Sequence, residues 1–354
     1  MSIDVALTPE TIAEVDVTGQ VADILGLPEH LRDALWRVES ANLAPQDSAG
    51  GLVVAAMGGS AIGGALALAV LGDRASRPIH IARDYGLPGW TTPDTTVLCS
   101  SYSGETEETL AAYEAAGALG ARRIVSTTGG RLAAAARAEG VPVIPLPGGF
   151  QPRAAVGYAL VVALEVAAVA GVAEHLHTEI DVAAEHAAKL VAEWGPDAAE
   201  DSLAKSLARS LSGTVPQIAG AGLTTSIAYR WKTQVNENAN APAFAAELPE
   251  LDHNEIVGWE YASEAGRFSG VFLDDCDLHP RVRARIALTM EIIGDQAAAL
   301  HRVESLGGTR MERLVSLVLL GDLVSTYMAV LARRDPAAIE PIRRLKAELA
   351  EQTQ

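Results

Sequence analysis

The stretch "WKTQVNENANAPAFAAELPELDHNEIVGWE" (231–260) is dense in polar groups for a region flanked by helix and strand patterns. Glu237 stands between Asn236 and Asn238 at the end of a predicted helix, and His253 follows in "LDHNE". A carboxylate can carry a proton between adjacent carbons, and an imidazole with an ordinary pKa of ~6.5 can act on a hydroxyl or a ring oxygen. Each residue also has a plainer reading, as a solvated helix-end glutamate and an exposed or structural histidine. The other histidines (30, 80, 175, 177, 186, 279 and 301) show no metal-ligand spacing. On a helix, His175 and His177 would face different ways, so no metal is expected.

Two turns could hold an anion. In "MGGSAIGG" (57–64), glycines 58, 59, 63 and 64 allow close backbone approach, and Ser60 offers a hydroxyl and a helix N-cap. The stretch is neither G-x-G-x-x-G nor a Walker A loop. In "CSSYSGETEETL" (99–110), Ser101, Ser103 and Thr106 fall where an apolar strand hands over to a helix. Unpaired N–H groups and the positive end of the helix dipole attract phosphoryl oxygens at such a place. The alternative is plain capping by Ser103, with Glu105, Glu107 and Glu108 as favourable first-turn acids. Those acids must point away from any bound anion. Arg153, in "FQPRAAVG", begins an apolar helix where the dipole disfavours a cation; either it is paired with a surface acid or it supplies local positive charge to an oxyanion.

The totals make that charge matter. The 354 residues carry a formal charge of -18, so the surface will not steer an anion and has no basic run for nucleic acid. With 49% hydrophobic and 20% charged residues, the chain is long enough for two globular domains. Cys99 and Cys276 lie outside any C-x-x-C spacing, which fits a reducing compartment, and both are expected to be buried. The first residues carry acids where a signal peptide would carry bases, and the apolar stretch 155–173 is interrupted by Glu165. It reads as a buried helix rather than a membrane span, and the protein as cytoplasmic with no membrane partner.

What positions these residues is an alternation of strands and helices. Apolar runs at 51–57, 78–82, 95–102, 122–128 and 141–146 are each followed by a turn and a helical pattern. After a helix-rich stretch at 174–212, a second set follows at 214–222, 241–248, 267–273 and 298–305, with helical patterns at 224–236, 280–294 and 309–333. Such alternation predicts α/β units, each a parallel sheet with helices on both faces and ligands at the carboxyl ends of its strands. The last twenty residues read as a helix with Pro336 near its start.

The pieces "MGGSAIGG", "SYSGETEET", "QPRAA", "NENANAPAF" and "PELDHNEIVGW", in this order, resemble the bifunctional phosphoglucose/phosphomannose isomerases, a branch of the sugar isomerase (SIS) superfamily. The resemblance implies two tandem SIS domains, each a flavodoxin-like three-layer sandwich, at 31–175 and 176–335, between an N-terminal segment (1–30) and a C-terminal helix (336–354). It implies a homodimer with the active site at the interface and a reaction without cofactor or metal. Glucose 6-phosphate and mannose 6-phosphate would interconvert with fructose 6-phosphate. Gly59, Ser60, Ser101, Ser103 and Thr106 would hold the phosphate, and Glu237 would carry the proton between C1 and C2 through a cis-enediol. Arg153 would stabilise the enediolate, while His253 of the partner subunit and Lys346 would open the ring. Glu105 departs from the neutral residue expected in the phosphate turn, and the sequence before Lys346 matches loosely. The alternative is a sensor that binds sugar phosphate without turnover. A glucosamine 6-phosphate synthase would need an N-terminal nucleophilic cysteine, whereas the first cysteine is Cys99.

Overall fold

The computed structural model describes residues 5–352. Five parallel strands form the first sheet: β1 (Leu52–Ala56), β2 (Ile79–Ala82), β3 (Thr96–Ser100), β4 (Arg122–Thr127) and β5 (Val143–Pro145), in the order β2-β1-β3-β4-β5. Four more, β6 (Val215–Gly220), β7 (Phe244–Glu247), β8 (Phe268–Asp274) and β9 (Ala299–Glu304), form a second parallel sheet in the order β7-β6-β8-β9. Both sheets are flanked by helices, as the alternation predicts.

Burial on both faces explains why β1 and β3 read as unbroken apolar runs: all five residues of each are buried. Their side chains alternate between two cores. Leu52, Val54 and Leu98 enter a large core that also receives Ile218, Val271 and Leu273 from the second sheet. Val53, Val97 and Cys99 enter a smaller cluster on the first sheet's other face, and Phe272 does the same on the second. One continuous apolar interior therefore lies between the two sheets and fixes their relation.

Its central rod is helix Arg310–Leu331, whose start is set by a reciprocal cap: Thr309 Oγ1 accepts from Glu312 N (3.1 Å), and Glu312 Oε2 accepts from Thr309 N (2.7 Å). This helix is long and apolar enough to cross a membrane, with a mean hydropathy of 2.0 over its best window, yet that window is wholly buried inside the protein. Helix Val156–Val169, the other apolar stretch, is likewise interior and packs on helix Gly58–Leu71. A Cβ on Gly63 would lie 2.3 Å from that of Ala159, so only glycine permits this approach.

Two expectations are corrected. Cys276 is exposed, because it follows β8 in a turn between Asp275 and Asp277, while Cys99 is buried on β3. The last helix spans Glu340–Glu351, starting later than Pro336 suggests. The Pro336 carbonyl is turned inward and accepts from Arg153 Nη2 (2.6 Å) instead of from a helical amide.

Candidate active site

Arg153 is the pivot of the site. Far from pairing at the surface, it is only 4% exposed, and three of its five N–H donors are engaged. Nε donates to Asn238 Oδ1 (2.6 Å), Nη2 to the Pro336 carbonyl, and Nη1 to Glu237 Oε2 (3.2 Å). The Glu237 side chain keeps about a third of its surface open to solvent. Burial pulls the Arg153 guanidinium below its ordinary value, and the neighbouring Glu237 carboxylate opposes that pull.

Helix Thr225–Asn238 presents Glu237 in its final turn, as the sequence suggests, with Asn238 beside it. Asn238 is held from behind by Ser325 Oγ (3.0 Å), on the buried helix. From the same helix Asp322 takes two bonds from Arg230, at Nε (3.0 Å) and Nη2 (2.6 Å). Burial pushes the Asp322 carboxyl up, and the Arg230 cation works against this.

Arg153 and Glu237 line a cleft of about 130 Å³ whose other wall is Gly58, Gly59 and Ile62. Gly59 lies so close to the Pro152–Arg153 backbone that a Cβ would fall 2.7 Å from the Pro152 carbonyl oxygen. The glycine turn after β1 and the carboxylate from the second sheet's first crossover helix thus share one space. Ser60 does not cap its helix: Met57 is the N-cap, and Ser60 is buried in the first turn, because the helix already starts at Gly58. Along the neighbouring turn, Ser101 Oγ lies 2.8 Å from Thr106 Oγ1 and accepts from Gly104 N (3.1 Å).

Ser103 is exposed and accepts from Glu105 N (3.2 Å). It caps nothing, since helix Glu107–Leu119 has Thr106 as its N-cap. Glu105 points away from the turn, bonded to Arg131 N and Nε at 2.8 Å each, and these bonds hold its carboxyl below the usual range. The negative charge that the departure introduces is therefore paired with Arg131.

His253 and Lys346 are not brought to this cleft by their own chain. His253 is the exposed end of the short turn Glu250–His253, and Lys346 lies on the exposed helix Glu340–Glu351. Sequence reasoning missed Arg83 and Tyr229, which also line the cleft. The Arg83 guanidinium lies 5.9 Å from the Tyr229 ring centre, and Lys232 Nζ approaches the same ring at 5.2 Å. These cations supply positive potential that the acidic surface does not. The signal for Arg83 was a basic residue just past a parallel strand, in "IARDY".

Residues 200–349 match the family of the bacterial phospho-glucose isomerase C-terminal SIS domain. The chain is 38% identical over 333 residues to the bifunctional phosphoglucose/phosphomannose isomerase of Caldicellulosiruptor bescii, covering 93% of this chain and 98% of that one. With the enzyme of the same name from Aquifex aeolicus the identity is 34%, over 84% and 90% of the two chains. The fold matches a hypothetical protein of Thermus thermophilus with a TM-score of 0.73 and 16% identity, over 97% and 94% of the chains. With its two parallel sheets and near-full-length identity to named members, the chain belongs to the bifunctional phosphoglucose/phosphomannose isomerase family.

Proposed function

We infer that the protein interconverts glucose 6-phosphate and mannose 6-phosphate with fructose 6-phosphate. The reading is carried by the Arg153–Glu237 pair in a cleft walled by the glycine turn after β1. The phosphate is held by Gly59, Ser60, Ser101, Ser103 and Thr106, a reading supported by their place on the turns and helix starts that follow the adjacent parallel strands β1 and β3. Glu237 takes the proton from C2 of the open-chain aldose while the C1 carbonyl oxygen gains a proton, giving a cis-enediol. The carboxylic acid then returns its proton to C1 as the C2 hydroxyl loses its own, and the ketose results. Glucose and mannose derivatives differ only at C2, so both collapse to the same enediol. Arg153, with two donors unengaged among the described residues, stabilises the negative charge that develops on the enediol oxygens. The buried and exposed free thiols suit a reducing, cytoplasmic compartment.

In this reading the site is completed by a second copy. His253 and Lys346 open the sugar ring, and both stand on exposed elements away from their own chain's cleft. Around them Val257, Tyr261 and Ile292 are each more than 60% exposed, and Ile342, Leu345 and Leu349 form an uncovered stripe on the last helix. Mixing Glu237→Gln and His253→Ala proteins would regenerate one intact site per mixed dimer. Activity that stays absent after mixing and subunit exchange would sink the shared-site reading.

The activity itself is tested by supplying fructose 6-phosphate in EDTA and measuring glucose 6-phosphate and mannose 6-phosphate separately. Both products should form, and Glu237→Gln should keep sugar-phosphate binding while kcat falls by about 10³-fold or more. Binding without either product would leave a sensor.

A further inference from the structure

A cleft larger than the one beside Glu237 lies elsewhere in the protein. It has a volume of about 800 Å³ and lies where the chain passes from the first sheet's last helix toward the second half, lined in part by Arg74, Glu174, His175, His177 and Glu179. Behind the two histidines Glu165, from helix Val156–Val169, is 2% exposed. Both histidines converge on one of its oxygens: His175 Nδ1 is 2.6 Å and His177 Nε2 2.9 Å from Glu165 Oε2. The expectation that they would diverge on a helix fails because only His177 is helical, as the first residue of His177–Trp194, while His175 lies in the preceding loop.

We propose that Glu165, His175 and His177 form a binding site for a divalent transition-metal ion of the zinc class, which staples the connecting segment 170–176 to the interior. Three observations carry this. The ligand atoms all lie within 4.8 Å of one another. Glu165 Oε1 is buried with no hydrogen-bond partner among the described residues, so a carboxylate in an apolar helix has one oxygen uncompensated, which is costly unless a charge offsets it. The second ring nitrogen of His177 faces Glu39 Oε1 at 3.7 Å, an outer carboxylate of the kind that orients metal-bound imidazoles.

Two imidazoles and one carboxylate favour zinc-class ions over calcium or magnesium, which take oxygen ligands. Tetrahedral bonds of ~2.05 Å need ligand atoms about 3.3 Å apart, so His175 Nδ1 must draw back from Glu165 Oε2 by roughly 0.7 Å and His177 Nε2 by roughly 0.4 Å. The histidine side chains are 53% and 41% exposed and have room to do so. Water from the open cleft completes the coordination. The site is remote from the proton transfer proposed above, so turnover in EDTA is expected to survive.

Tag-free full-length protein, stripped with EDTA and dialysed, is titrated with Co²⁺ and then Zn²⁺. One equivalent of Co²⁺ should produce the intense visible d–d absorption of a tetrahedral site, and Zn²⁺ should displace it. Zn²⁺ at a hundredfold excess over Kd should raise the thermal midpoint by about 3–4 °C. The double variant His175→Ala/His177→Ala, altered only at half-exposed side chains, should lose both effects while keeping isomerase turnover. Glu165→Gln should weaken binding at least tenfold. Absence of the Co²⁺ band in the unaltered protein overturns the proposal. So does binding that persists in the double variant, and its loss in Cys276→Ser would then assign the ion to Asp275, Cys276 and Asp277, whose ligand atoms also cluster.

Discussion

Arg230 donates from Nη2 to the main-chain carbonyl of Arg153 across 2.9 Å, joining the first crossover helix of the second sheet to the segment that carries the site's central cation. That bond exists because Asp322 clamps the same guanidinium from the far side. The pair is buried, at 1% and 3% exposure, so removing one partner strands a charge in the interior. Asp322→Ala should lower stability by about 3–5 kcal/mol in urea unfolding. Arg153 should lose its register as well, so kcat should fall in the fraction that remains folded. Unfolding within about 1 kcal/mol of the parent would show that the clamp contributes little.

Gly59 tests how the glycine turn is coupled to Arg153. A methyl group there would meet the Pro152 carbonyl oxygen at 2.7 Å and Arg153 Cα at 3.2 Å, both backbone atoms that cannot rotate away. Gly59→Ala should displace the arginine by several tenths of an ångström and lower kcat/KM by about tenfold or more, since displacements of ~1 Å can cost 10²-fold. Global stability should change much less. Unchanged kcat/KM would mean that the turn and the arginine move independently.

The carboxylate of Glu105 is turned onto Arg131, while Ser101 Oγ faces Thr106 Oγ1 and Ser103 Oγ accepts from the Glu105 main-chain amide. Glu105→Gln should therefore leave KM for the sugar phosphate within about twofold, because no repulsion is being relieved. Ser101→Ala is the contrasting variant. It removes the oxygen that accepts from Gly104 N and lies against Thr106, so KM should rise at least several-fold. A large fall in KM for Glu105→Gln would show that its carboxylate does reach the anion.

The strands were legible because doubly buried parallel strands are unbroken apolar runs: "LVVAA" and "TVLCS" could hardly be anything else between helical stretches. Glu237 at a helix end was legible for the same local reason. Its contact with Arg153 was not, since 84 positions separate the two and only the shared core between the sheets brings them together. Arg83 and Tyr229 escaped notice because neither stands in a motif; Arg83 is placed by the end of β2 and Tyr229 by helix Thr225–Asn238. His175 and His177 were misread from an assumed helix that begins two residues too late to include both. Spacing arguments hold within one element and fail at its boundary.

His30 gives the protein a dependence on pH that is independent of its chemistry. It lies 6% exposed on helix Leu27–Ser40, with its ring 4.8 Å from Phe150 and 5.2 Å from Tyr158, and its Nδ1 has no partner among the described residues. Burial lowers its pKa, and the carboxylates of Glu29 and Asp33 only partly oppose this. The unfolded chain then binds the proton more readily than the folded one. Stability should be full above the unfolded value of about 6.5 and should decline as pH falls from there toward the folded value. His301, also lowered by burial, acts with the same sign. His30→Leu should remove its share, so that the loss of stability between about pH 7 and pH 5 becomes measurably shallower in urea unfolding at a series of pH values. An unchanged slope would mean that the proton released on folding comes from His301 or from the carboxylates, and that the apolar pocket around residue 30 admits the charged ring without penalty.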